Sequence, residues 1–134
     1  MTPKEARDEI MALFVAGWSS TGVDLRFWNA PGPLPKDGSP WARIIIKHTQ
    51  GGNASISSKR FTRSGIVFVE IHTPIGKGFT EADDLAKIAM DVFQGKSTPG
   101  GVWFRDVRLL ETDAEGHWSQ VNVVADFTYD EFLS

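Results

Sequence analysis

The chain has 134 residues, no cysteine and a formal charge of −3, with 41% hydrophobic and 23% charged residues. That size fits one domain, residues 1–134, burying about two-thirds of the surface its unfolded form exposes. Without cysteine there are no disulfides or thiolate zinc sites, a reducing cytoplasm is the natural compartment, and the small charge advertises neither a nucleic-acid nor a membrane partner.

Thr2 suits an N-cap with Pro3 at the first helical position, and Ala6, Ile10, Leu13, Phe14 and Gly17 recur at helical spacing, which predicts a helix over 3–17. Glu5, Asp8 and Glu9 ahead of an apolar run broken by Gly17 fit neither a signal peptide nor a spanning helix. A short strand is expected at Val23–Trp28. From Asn29 to Pro40, four prolines and two glycines exclude regular structure and predict a loop.

Trp41–His48 alternates, with Ala42, Ile44 and Ile46 on one face and Arg43, Ile45 and Lys47 on the other, as a strand does. Gln50-Gly51-Gly52-Asn53 reads as a turn, and Ala54–Arg63 as a polar return arm holding Lys59, Arg60 and Arg63. Ile66–Thr73 is the strongest strand signal, apolar on both faces for half its length and therefore central. Pro74 ends it. Thr80 is expected to cap a helix that runs to about Gln94 and stops at Gly95, with Ala82, Leu85, Ala86, Ala89 and Phe93 as its apolar stripe. A hairpin follows, Val102–Glu111 and Trp118–Thr128 about a turn at Asp113–Gly116, and Tyr129–Ser134 reads as a short acidic tail. The sum is an α+β fold, an antiparallel or mixed sheet of about four strands with two helices packed on one face and an extended loop or β-arm.

No catalytic constellation emerges from the residue types. His48, His72 and His117 lack ligand spacing; a site assembled from His72, Glu70 and Asp126 is the sharpest alternative, and strand-exposed polar residues the plainer one. Ile75–Thr80 looks superficially like a phosphate cradle, but its glycines and lysine are not at Walker spacing, and Glu81, Asp83 and Asp84 already occupy the positive end of the helix dipole. No serine stands in a G-x-S-x-G elbow. Lys59, Arg60 and Arg63 around Phe61 could touch nucleic acid, although the acidic balance of the chain favours a solvated arm or a subunit contact. The chain is therefore expected not to be an enzyme and to need no cofactor or metal. Five tryptophans are many for this length, and a second sheet face mixing Trp41, Ile45, Ile66, Phe68 and Val124 with charges is too apolar to be wholly wet, which predicts self-association.

Several segments together resemble the tail terminator, or tail-completion, proteins of long-tailed bacteriophages, a group that includes phage-related domains of unknown function. They are the opening Glu5-Ala6-Arg7 helix, the Pro-rich loop before Trp41-Ala42-Arg43-Ile44, Gly65 with Ile66–Ile71, the Thr73–Gly78 turn, the Ala82–Gly95 helix, and Gly116–Val121 followed by Phe127–Asp130. The resemblance spans almost the whole chain and consists of structural residues. It implies a virion protein, assembled in the host cytoplasm, that forms a homo-oligomeric ring of six on the end of the tail tube, stops tube polymerisation and supports joining to the head. Its partners would be the tail tube protein and a head–tail connector, with DNA passing unread through the lumen and no membrane involved. Trp41, Arg43, Lys59, Arg60 and Arg63 are the expected assembly contacts. A connector or neck protein of the same particle, or a small enzyme with a site around His72, are the alternatives.

Overall fold

The computed structural model describes residues 1–28, 38–53, 59–76, 79–112 and 118–132. Its elements run α1 (Pro3–Trp18), a 3-10 turn (Ser19–Thr21), β1 (Asp24–Phe27), β2 (Trp41–Asn53), β3 (Arg60–Pro74), α2 (Thr80–Phe93), β4 (Trp103–Glu111) and β5 (Trp118–Phe132). The strands form one five-stranded sheet in the order β1-β2-β3-β5-β4, one strand more than expected. The sheet is mixed: β1 runs parallel to β2, and every other neighbour is antiparallel.

Local chemistry explains the first helix. The Thr2 hydroxyl accepts from the Glu5 N–H at 3.1 Å while the Glu5 carboxylate accepts from the Thr2 N–H at 3.3 Å, a reciprocal capping box that satisfies two end groups. α2 starts differently: Phe79 occupies the cap position and no side chain caps the end, so Thr80 is the first helical residue and not the cap. The exposed first-turn acids Glu81 and Asp83 suit the helix dipole in its place. The predicted apolar stripe is correct, since Ala82, Leu85, Ala86, Ala89 and Phe93 are all buried.

Alternation along the strands divides the sheet into two faces. Ala42, Ile44 and Ile46 of β2, Val67, Val69 and Ile71 of β3, and Val121, Val123, Ala125 and Phe127 of β5 join the buried stripes of both helices in one core. Phe14 stacks between Trp18 and Phe93, with ring centroids 5.4 and 5.7 Å away, and ties α1 to α2. Gly65 lies where β2, β3 and β5 press together, and a Cβ there would collide with the Lys47 carbonyl oxygen and the Phe127 ring.

The strands are longer than their alternation suggests. Gln50–Asn53, expected as a turn, continues β2 past an irregularity at Thr49 and pairs with Phe61–Ser64. Tyr129–Phe132, expected as a tail, continues β5 and pairs with Arg60–Arg63. The flanks of the arm thus fold into the protomer's own sheet, and cross-strand pairing overrides the glycines and charges that read as loop. The predicted 29–37 part of the Pro-rich loop, residues 54–58 of the arm and the 113–116 turn lie outside the described residues.

β4 carries a second irregularity between Arg105 and Arg108. Asp106 has φ 53°, unusual for a residue with a side chain. Arg108 stabilises it: one guanidinium nitrogen donates to the Asp106 carbonyl at 2.8 Å and to its carboxylate at 3.1 Å.

Candidate functional site: the uncovered sheet face and its tip

The face opposite the helices is organised in rows across β2, β3 and β5. Register places Trp41 beside His72 and Gln120, Arg43 beside Glu70 and Asn122, Ile45 beside Phe68 and Val124, and Lys47 beside Ile66 and Asp126. The first row is aromatic: the Trp41 ring lies flat on His72, centroids 3.9 Å apart, and meets the edge of Trp118 at 6.2 Å. Trp41 is only 6% exposed although no helix covers it.

In the second row Arg43 directs Nε and Nη2 to one oxygen of Glu70, at 2.9 and 2.6 Å. His72 Nε2 is 3.5 Å from the same oxygen, at the outer limit of a hydrogen bond. The His72 ring and the Arg43 guanidinium hold the Glu70 carboxyl below its ordinary value, against the opposing pull of burial.

The third and fourth rows are largely apolar. Ile45, Ile66 and Phe68 are half-buried and Val124 is buried, although among the described residues no helix lies over them. β4 extends the face with Trp103 and Leu110, which are 46% and 44% exposed and pair with Thr128 and Asn122. Trp28 joins at the other side, with Lys47 Nζ 5.2 Å from its ring centroid. Of the five tryptophans, only Trp18 sits in the core between the helices; the other four gather at this face.

The expected contact residues do not form one cluster. Trp41 and Arg43 share one end of the uncovered face. Arg60 is on the same face but ten residues along β3 from Glu70, the partner of Arg43, a separation of about 33 Å at strand rise. Arg60 Nε donates to Asp130 at 3.1 Å, while Arg63 is on the opposite, helix-side face and donates to Glu131 at 3.0 Å. Lys59 is exposed just before β3. The arginines of the tip are thus tied to β5, and any contact they make comes from the end of the sheet and not from a free loop.

The alternative site around His72 is only half assembled. Glu70 and His72 meet, but Asp126 pairs with Ile66, four residues from Glu70 along β3, or about 13 Å. Asp126 instead lies 3.6 Å from Arg108. Among the described residues no group of three or more His, Asp or Glu could hold a metal ion, and no helix is long and apolar enough to cross a membrane.

What sequence reasoning missed is the tip on the helix side. His48 Nε2 is 2.8 Å from the Tyr129 hydroxyl, and both sit beside Arg63. Burial first, then the positive charges of Arg7 and Arg63, lower the His48 pKa. The signal was present in the parity of His48 with Ile46 and of Arg63 with Val67, but it was hidden while residues 50–63 read as turn and arm.

This architecture, a five-stranded mixed sheet with two helices on one face, is shared with known structures. No protein-family model matches the chain, and no curated protein matches it. Among solved structures, a protein described without a function superposes with a TM-score of 0.63 at 18% identity, covering 96% of this chain and 97% of its own. A chain from the virion of a native gene transfer agent particle superposes with a TM-score of 0.64 at 13% identity, covering 92% of this chain and 93% of its own. At these identities the likeness is one of fold, and it extends over nearly the full length of each chain.

Proposed function

We propose that the protein is a structural component of a phage-like virion, a tail terminator that caps the tail tube as a ring of six, stops its polymerisation and supports joining to the head. The observation that carries this reading is the near full-length sharing of fold with a chain of a gene transfer agent virion. The uncovered sheet face supports it, because a surface that concentrates tryptophan, apolar side chains and paired charges has the composition of a protein contact. DNA would pass through the lumen without being read, in keeping with a chain of net charge −3. Trp41 and Arg43 then order the contact face, Arg60 acts at its far end, and Lys59 and Arg63 act from the end of the sheet, Arg63 on the helix side.

Light scattering on the native protein, followed by electron microscopy of a mixture with tubes of the cognate tail tube protein, tests the proposal. A discrete species near six protomers and density confined to tube ends are expected. Retention by the head connector and not by the tube would move the protein to the neck; binding to neither would remove the assembly role.

A further inference from the structure

At the tip of the helix-side face an open cleft of about 420 Å3 lies between the start of α1 and the distal part of β2 and β3. Its walls include Arg7, His48, Thr49, Gly51 and Arg63, and among the described residues no carboxylate lines it, Glu131 standing behind Arg63 as its ion-pair partner. The chain as a whole is acidic, so this is a local reversal of charge. Arg7 is exposed and has no hydrogen-bond or ion-pair partner among the described residues. Arg63 uses Nε for Glu131, which leaves its terminal nitrogens for the cleft. Gly51 permits that placement, since a Cβ there would collide with Arg63 Nη1. His48 is fixed by the Tyr129 hydroxyl and by edge contacts with the Phe127 and Tyr129 rings, at 5.3 and 5.7 Å. The set is preorganised for an anion, and two guanidinium groups favour a carboxylate or phosphate.

The opposite end of the molecule carries the complement. Glu81 and Asp83 in the first turn of α2 and Asp84 just after it are all exposed, and their carboxylates have no ion-pair or hydrogen-bond partner among the described residues. Beside them stand Phe79, 62% exposed, and Ile75, while Phe132, 66% exposed, stands at the basic tip. β3 separates the two ends, with Arg63 eleven residues before Pro74, or about 36 Å.

We propose that the cleft of Arg7, His48 and Arg63 receives the carboxylates of Glu81, Asp83 and Asp84 from a second copy of the chain. A basic site at one end and an acidic turn at the other make a head-to-tail contact, which generates a closed ring when its rotation closes. This contact rests on the ring assembly proposed above.

The test is a charge-swap cycle on the full chain, read as the protein concentration at half assembly by light scattering, with the melting temperature as a folding control. Arg7→Glu, and separately Asp83→Lys with Asp84→Lys, should each raise that concentration about tenfold or more, as loss of close interfacial charge pairs does. Combining the three changes should restore assembly to within about threefold of the unaltered chain, an outcome that mere surface charge effects do not produce. The ring titration of His48, followed by NMR, should move up in pH on assembly, because carboxylates then face it. If the unaltered chain forms rings and the variants do so equally well, or the combination does not recover, the contact is wrong while the ring stands. If the unaltered chain remains a single protomer at every concentration, both fall. Loss of duplex DNA binding by Arg7→Glu with assembly intact would instead give the cleft to phosphate and overturn the inference.

Discussion

Along β3 the side chains of Val67, Val69 and Ile71 disappear beneath the helices, whereas those alternating with them, Ile66, Phe68, Glu70 and His72, have no helix above them among the described residues. Both sets belong to one strand and share one backbone ladder, so backbone hydrogen bonding does not distinguish them. The covered face is aliphatic with two helices interlocked through Phe14 and Phe93; the uncovered face is tryptophan, paired charge and a band of half-buried apolar side chains. The covered face supplies the stability of the protomer. The other face has no helix over it among the described residues, and it leaves Trp103, Leu110 and Trp28 about half exposed.

The contrast has measurable consequences. Phe14→Ala removes a fully buried ring held between two others and should cost about 3–5 kcal/mol in chemical denaturation. Gly65→Ala forces a methyl group against backbone as well as the Phe127 ring, and a loss of about 1–3 kcal/mol, with slower assembly only as a secondary result of misfolding, is expected. Phe68→Ala, on the uncovered face, should cost the protomer about 1 kcal/mol because the ring is only half-buried, yet weaken ring formation measured by light scattering. A Phe68 truncation as costly as that of Phe14 would erase the distinction between the faces.

Acidity sharpens the same comparison. The Glu70 carboxyl is held below its ordinary value of 4.5, so its contribution is complete above that pH and is lost as pH falls through the lower folded-state value. Arg43→Ala removes one of the groups holding it there and should flatten the decline of melting temperature between pH 5 and pH 3. His48 is also lowered, from 6.5, which favours its neutral form in the folded state. Stability should therefore begin to fall as pH drops below about 6.5 and continue to fall until the folded-state value is passed. His48→Gln should remove that shallow upper part of the pH profile while leaving the Glu70 part.

Much of this was legible in the residues. Apolar period marked both helices and the core-facing residues in the middle of β2, β3 and β5, because burial on one face imposes regular spacing. The helix stripe from Ala82 to Phe93 and the alternation from Ala42 to Ile46 are examples. β3 was rightly placed at the centre, since residues apolar on both sides need neighbours on both sides. What failed were the strand ends. Gln50–Asn53 and Tyr129–Phe132 have no apolar alternation, and their strand state comes from pairing with Phe61–Ser64 and Arg60–Arg63, partners distant in sequence. Arg63 and Glu131 are 68 residues apart, and no local pattern announces their ion pair. The cleft at the tip was invisible for the same reason, since it joins α1 to two strand extensions. The expected contact residues were chosen by type and proximity in the sequence, and alternation then sent Arg60 and Arg63 to opposite faces.

The kink at Asp106 gives the outermost strand a function of exclusion. With a left-handed residue in the middle of β4 and Arg108 clamped onto it, the backbone donors and acceptors along that rim fall out of step with any straight strand laid beside them. A rim broken in this way is a poor template for another strand, which guards the β4 edge against edge-to-edge aggregation.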